Sequence, residues 1–340
     1  MAENVHRDHA GAARRQLAGR ALDPIGLGCM GLTHGYGVPP APEDAARVLR
    51  AALDLGYDHL DTARLYGAGR NEELIGTALQ GRRRDFFLAS KLGIVIDGAK
   101  RRTDCRPETI RSEVEQSLGR LGTDHIDLYY LHRRDFAVPI EESVGAMGEL
   151  VAAGKIGAIG LSEMSAETLR RAHAAHPIAA MQTEYSPWTR NVEIAVLEAT
   201  RELGVALVAF SPLARGVLAG GLDDRAVLRP DDIRYTQPRF SVENWPRNRA
   251  LAEAFARIAA DEGVTPAQLS LGWVLSRGGH VHVIPGTTNL AHLAENRARG
   301  GWCPPPPVVD RIDALINQQT VAGHRYAQAM RRTIDTEDFG

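Results

Sequence analysis

Asp61, Tyr66, Lys91 and His132 are the residue types that proton transfer to a reacting carbonyl requires. A carbonyl carbon that accepts a hydride leaves negative charge on its oxygen, and that oxygen then needs a proton. A tyrosine hydroxyl can give one, although its ordinary pKa of ~10 holds the proton tightly at neutral pH. A lysine ammonium beside it stabilises the phenolate and is expected to lower that pKa. A carboxylate keeps a partly buried lysine charged and in place. A histidine can hydrogen-bond the carbonyl and orient it. The four types together make a proton donor that needs a separate source of hydride. Taken singly, an Asp–Lys pair or a histidine ending a strand is more often structural, so the weight lies in their convergence.

The elements that must position them are short apolar runs. Ile25–Cys29, Tyr57–Asp61, Phe86–Ser90, Ile126–His132, Ile156–Ser162, Ala179–Thr183, Val205–Phe210 and Val281–Pro285 read as strands buried on both faces. Helical patterns lie between them: Pro42–Leu55, Glu72–Leu79, Pro107–Leu121, Ile140–Ala153, Ser165–Ala174, Val192–Leu203 and Asn289–Arg299. Several end at a glycine, as at Gly56, Gly122, Gly154 and Gly204. Eight strands alternating with helices predict consecutive right-handed βαβ units, and eight is the number at which a (β/α)8 TIM barrel closes. Asp61, Lys91 and His132 then stand at the carboxyl ends of the second, third and fourth strands, with Tyr66 in the loop between the first two of these. Those ends meet at one mouth. Residues 16–326 are expected to form this single domain, with residues 1–15 as a flexible lead-in and 327–340 as a tail. A long irregular stretch, Ser211–Arg247, follows the seventh strand and reads as a lid or binding loop. Three further helices, Arg249–Glu262, Pro266–Ser276 and Val308–Gln319, complete the α/β pattern.

Composition excludes several function classes. The 340 residues are 44% hydrophobic and 24% charged, ordinary globular usage. A net charge of -2 creates no global field for nucleic acid or an anionic membrane. The basic runs Arg82–Arg84 and Lys100–Arg102 are short and read as solvated faces. Cys29, Cys105 and Cys303 are widely spaced and odd in number, which argues for reduced thiols, a cytoplasmic setting and no zinc site. His6 and His9 lack a third ligand. No apolar run reaches the roughly 18 residues of a membrane helix.

Gly26-Leu-Gly28-Cys-Met-Gly31 matches the dinucleotide fingerprint G-x-G-x-x-G, but that fingerprint must open a helix. Thr33-His-Gly-Tyr-Gly-Val-Pro-Pro40 follows instead, so the motif reads as a Gly-rich loop at the mouth of the barrel.

From about Gln16 to Tyr326 the chain resembles the aldo-keto reductases, in their short-loop bacterial, fungal and plant branch beside pyridoxal reductase-like members. The resemblance rests on Asp61-Thr-Ala-x-x-Tyr66-Gly-x-Gly-x-Asn71-Glu-Glu-Leu-Ile-Gly76 and Leu131-His132-Arg133. It rests also on Gly160-Leu-Ser162-Glu163, Gln182-Thr-Glu-Tyr-Ser186, Ser211-Pro212-Leu213 and Ile284-Pro285-Gly286-Thr287-Thr288. It implies carbonyl reduction with NADPH (NADH also possible), with Asp61, Tyr66, Lys91 and His132 as the catalytic tetrad. It further implies that Ser162 and Gln182 hold the nicotinamide amide beside Asp61, Cys29 and Met30. Phe210 then stacks on the ring in place of the usual tyrosine. Ser211, Pro212, Leu213, Arg215 and Gly216 cover the pyrophosphate, and Gly286, Thr287, Thr288, His292, Glu295 and Asn296 meet the adenosine end. Relatives commonly hold the 2′-phosphate with two permanent cations where this chain has Gly286 and His292, so a narrowed NADPH preference is expected. The fold is shared with potassium-channel β subunits, so a cofactor-binding regulatory protein is the alternative. Partners are expected to be limited to a small-molecule carbonyl substrate. Its pocket is expected to include Tyr36, Arg64, Leu65, Arg133, Phe136, Trp188 and Tyr235. Arg64 and Arg133 flank Tyr66 and His132 in sequence; pairing with Asp135 or other acids is the first reading, and a preference for anionic carbonyl substrates is the second.

Overall fold

A computed structural model describes residues 13–97, 100–222 and 224–339. Eight parallel strands form one sheet, in chain order: β1 (Leu27–Gly28), β2 (His59–Asp61), β3 (Phe87–Leu92), β4 (Ile126–Leu131), β5 (Ile156–Ser162), β6 (Ile178–Glu184), β7 (Ala206–Phe210) and β8 (Val281–Ile284). A parallel bridge between Ile25 and Val283 closes the sheet on itself. Gly26 N donates to Val283 O at 2.9 Å and Gly28 N to Pro285 O at 3.1 Å across that seam. The expected (β/α)8 barrel is therefore present, with all eight strands where the apolar runs lie.

The side-chain period of two along a strand separates two cores. Leu88, Leu92, Tyr129 and Leu131 face outward into the large cluster beneath the helices. Phe87, Ala89, Leu128, Tyr130, Ala180, Val208 and Ile284 face inward and fill the barrel. The same inward rows continue to Lys91 on β3, His132 just past β4 and Gln182 on β6. Gly160 on β5 is required by this filling, because a Cβ there would meet the Tyr130 ring at 2.3 Å.

The helices of seven or more residues are α1 (Pro42–Asp54), α2 (Arg70–Ala78), α3 (Pro107–Leu121), α4 (Ile140–Ala152), α5 (Ala166–Ala175), α6 (Val196–Glu202), α7 (Trp245–Asp261), α8 (Pro266–Leu275), α9 (Leu290–Ala298) and α10 (Pro306–Leu315), and a single turn at Gln328–Arg331 lies in the tail. Proline at the first turn starts α1, α3, α8 and α10. The Ser165 hydroxyl caps α5, and Thr265 with Gln268 forms a capping box on α8. The helix expected over Val192–Leu203 is broken. A 3-10 turn at Asn191–Glu193 precedes α6, and Ala195 between them has φ -153. The glycine motif opens no α-helix: a 3-10 turn at Met30–Leu32 leads into loop.

Two hairpins stand outside the expected pattern. Arg15–Leu17 pairs with Arg20–Leu22, and Leu17 and Leu22 plug the amino end of the barrel. The expected lead-in thus already joins the fold at Arg15, while His6 and His9 lie outside the described residues. Ile94–Asp97 pairs with Lys100–Thr103, so the basic run Lys100–Arg102 lies on a strand, and Arg101 and Arg102 are exposed on it as a solvated face. This hairpin follows β3 directly and therefore rises from the mouth. Residues 327–339 run back over the same end through contacts described below. No helix among the described residues is long and apolar enough to cross a membrane.

Candidate active site

The tetrad comes together at the mouth. Asp61, at the end of β2, is buried, and Lys91 of β3 lies fully buried against it, its Nζ bonded to Asp61 Oδ1. Lys91 Nζ also donates to Thr62 O at 2.7 Å and to Tyr66 Oη at 3.4 Å. The Tyr66 and His132 rings meet edge to face with centroids 6.0 Å apart. Backbone ties fix each strand end to the next: Cys29 N to Asp61 O, Thr62 N to Ala89 O, and His132 N to Leu92 O.

Tyr66 is aimed by a tight turn. Gly67 and Ala68 both have φ near 60, Gly69 has φ 97, and α2 begins immediately after. Asn71 on the first turn of α2 anchors that turn. Its Nδ2 donates to Cys29 O at 2.9 Å and Thr33 Oγ1 at 2.8 Å, and its Oδ1 accepts from Thr62 Oγ1 at 2.6 Å. The sequence motif contained Asn71 and Thr62 but gave them no role. Only the fold shows that they tie the first two strand ends together.

The electrostatics set the proton's location. Burial pulls the Lys91 pKa down, but the charge of Asp61 and its hydrogen bond outweigh this and hold it above the ordinary value. The ammonium stays charged. Burial raises the Tyr66 pKa, and Lys91 opposes the rise without reversing it. The expected net lowering is therefore corrected: the hydroxyl stays protonated. Burial, with Arg133, Lys91 and Arg101, drives the His132 pKa well below its ordinary value, so its imidazole is neutral. A protonated phenol, a fixed cation and a neutral imidazole at one mouth suit delivery of a proton to an oxygen gaining charge.

The residues assigned to a nicotinamide cofactor surround this centre. Ser162 and Gln182 are adjacent across the β5–β6 register and both buried. Gln182 Nε2 donates to Asp61 Oδ2 at 2.7 Å. The Ser162 hydroxyl has one long contact, from Arg133 at 3.5 Å. Phe210 ends β7 and is left partly exposed. Ser211, Ala214, Arg215 and Gly216 all have positive φ, so the loop after β7 is folded back on itself beside Pro212 and Leu213. Across from it, Met30 packs against Gly35, and Gly31 faces Thr288. Thr287 Oγ1 accepts from Asn289 N, and Asn289 caps α9. On α9, His292 is exposed, Glu295 half-buried and Asn296 buried, while Gly286 at the β8 end is exposed. A helix start of this kind suits phosphate.

The proposed pocket does not survive intact. Arg64 turns outward to Glu113 of α3, with Nε 2.7 Å from the carboxylate, and is removed from the mouth. Arg133 stays, its Nη1 donating to His132 O at 2.6 Å. Tyr36 packs under Arg234, Leu65 is partly exposed, and Trp188 is buried. Phe136 and Tyr235 are exposed and stack with Arg134 and Arg225.

A buried charge network also lies here. Glu163, with φ 55, is fully buried between Ser162 and β6. Arg325 grips both its oxygens, at 3.0 and 2.7 Å, and Glu184 N donates to it at 2.9 Å. Thr336 Oγ1 and Asp335 N bond its carboxylate and carbonyl, and Arg215 pairs with Glu184 at 2.9 Å. Asp335 accepts from Ser165, Thr168 and Arg134. The tail thus binds the strand end that carries Ser162. Glu163 and Glu184 stood inside recognised motifs. Arg325 gave no sequence signal.

Comparison with known proteins agrees with this architecture. The model of the Aldo/keto reductase family matches residues 24–316. Aldo-keto reductase str7 of Strobilurus tenacellus is 41% identical over 335 residues, covering 96% of this chain and 98% of that protein. A probable aldo-keto reductase 1 of Glycine max is 43% identical, covering 82% and 81%. Among solved structures, a glycerol dehydrogenase of Gluconobacter oxydans superposes with a TM-score of 0.80 at 27% identity, covering 96% and 97%. An aldo-keto reductase of Klebsiella pneumoniae in complex with NADPH superposes with a TM-score of 0.70 at 26% identity, covering 93% and 99%.

Proposed function

This chain belongs to the aldo/keto reductase family, and from that premise we propose that it reduces a small aldehyde or ketone to the alcohol, with Tyr66 as proton donor. Bound NADPH supplies the hydride in this reading. The substrate oxygen lies between Tyr66 Oη and the neutral His132 ring, which orients it. As charge develops on that oxygen the Tyr66 proton moves to it. Lys91, 3.4 Å from Tyr66 Oη, stabilises the phenolate left behind, and Asp61 keeps Lys91 charged. Ser162 and Gln182 would hold the nicotinamide amide, and Phe210 would offer its ring face to the nicotinamide.

The observation that carries this reading is the Asp61–Lys91–Tyr66 chain of contacts, a buried charge aimed at one hydroxyl. The test is oxidation of NADPH and of NADH, followed by absorbance, with a panel of aldehydes and ketones. Turnover of some carbonyl compounds, faster with NADPH, is expected. Cofactor binding with no turnover of any of them would favour a regulatory binding protein instead.

A further inference from the structure

Most arginines at the surface of this molecule meet a carboxylate, but three beside the tetrad do not. Arg133 is half-buried, follows His132 and donates only to His132 O and, at 3.5 Å, to Ser162 Oγ. The acids near it are engaged elsewhere. Asp135 accepts from Cys105 N at 3.1 Å and Ala137 N at 3.0 Å. Glu163 is held by Arg325, Glu184 N and Thr336. Arg70, one turn past Tyr66, donates to Gly67 O at 2.9 Å. Arg101 lies opposite Ile96 on the hairpin that rises from β3. None of the three has a carboxylate within salt-bridge reach among the described residues. All three belong to one arc of the mouth: Arg70 begins α2 after the β2 end, Arg101 sits on the hairpin that follows β3, and Arg133 follows the β4 end.

A mouth lined by one sign of charge concentrates the opposite sign. A half-buried guanidinium with no carboxylate in direct contact keeps part of its desolvation cost, which a bound anion relieves. Its planar fork matches a carboxylate or a phosphate. The phosphates of a dinucleotide do not meet this need. Their expected seats, the loop after β7 and the start of α9, lie on the β7–β8 arc, away from the β2–β4 arc that carries these arginines. We propose that Arg133, with Arg70 and Arg101 on the rim, forms a subsite for an anionic group of the substrate. The carbonyl compound reduced then carries a carboxylate or a phosphate. This inference rests on the reductase reading above.

Matched pairs test it: benzaldehyde against 4-carboxybenzaldehyde, and glyceraldehyde against glyceraldehyde 3-phosphate. The wild type should favour at least one charged member in kcat/KM by roughly ten- to a hundredfold, the span of one charge-assisted hydrogen bond. The ratio should fall as salt rises from about 0.05 to about 0.5 M. Arg133→Gln should bring it toward one, and Arg101→Gln should lower it less. Preference for the first or the second pair tells carboxylate from phosphate. Calorimetry with 4-(hydroxymethyl)benzoate, benzyl alcohol, glycerol 3-phosphate and glycerol reads the same subsite without turnover. Ratios of one in both pairs, an undiminished ratio in Arg133→Gln, or no anion preference in calorimetry overturns the subsite, and turnover of the neutral aldehydes would leave the reductase reading intact. Anion-selective binding without turnover of any aldehyde would support the subsite and overturn that reading.

Discussion

Tyr66 gives the sharpest residue-level expectation. Its hydroxyl acts mainly where charge develops, so Tyr66→Phe should cut kcat by about 10²–10⁴-fold while the NADPH dissociation constant stays nearly unchanged. Near wild-type kcat would remove Tyr66 from the chemistry. Reduction needs the protonated phenol, and burial raises its pKa. The rate should therefore be lost only as pH rises above the ordinary tyrosine range. His132 is neutral already, so kcat/KM should stay level from about pH 6 to about pH 8, and a step near pH 6.5 would mean that His132 titrates at the mouth. At the adenosine end, the exposed His292 is the residue of α9's first turn able to offer a donor to a 2′-phosphate. His292→Ala should weaken NADPH binding by several-fold and leave NADH binding as it was. Equal losses for both cofactors would exclude that role.

The elements explain both what could be read from the chain and what could not. Each barrel strand is buried on both faces, so β3 and β4 announce themselves as apolar runs with Lys91 and His132 at their ends. The tetrad was legible because parallel strands bring sequence-distant ends together. Arg64 was misplaced because adjacency to Asp61 and Tyr66 does not say which way a side chain turns, and Glu113 on α3 decides it. The hairpins were hidden because strands of three or four residues, several of them polar, depend on the barrel they rest on rather than on their own pattern. The tail was hidden because its contacts are polar and long-range, which leaves no period to read. Its anchor is the Arg325 fork on Glu163, whose carboxyl is pulled down to about 2: burial opposes ionisation, and the Arg325 charge and hydrogen bonds overcome it. Arg325→Met should strand that carboxylate and cost about 3–5 kcal/mol in urea unfolding. Adding Glu163→Gln should recover part of the loss. A cost below about 1 kcal/mol for the single variant would show that the Arg325 fork does not secure this strand end.

Across the whole molecule, one barrel carries charge chemistry at its mouth and neutral histidines deeper in its packed interior. His59 on β2 and His282 on β8 are fully buried, and neither ring nitrogen of His59 has a partner among the described residues. Burial is the main cause that lowers both pKa values to about 3. The sign of the linkage follows directly. A histidine depressed in the folded state stays neutral there, while the unfolded chain takes up a proton below about pH 6.5. Stability is therefore present above that pH and lost as pH falls, by about 2 kcal/mol for each of the two at pH 5. His132, depressed by the same cause, adds loss of the same sign. The fold that keeps an imidazole neutral for carbonyl binding is thus one that acid should unfold early. Urea unfolding at pH 7 and pH 5 measures this, and His59→Leu isolates one contributor. The difference between the two pH values should shrink by about 2 kcal/mol in that variant, whatever its absolute stability. An unchanged difference would mean that His59 already carries its proton inside the barrel, and that the interior is wetter than its packing shows.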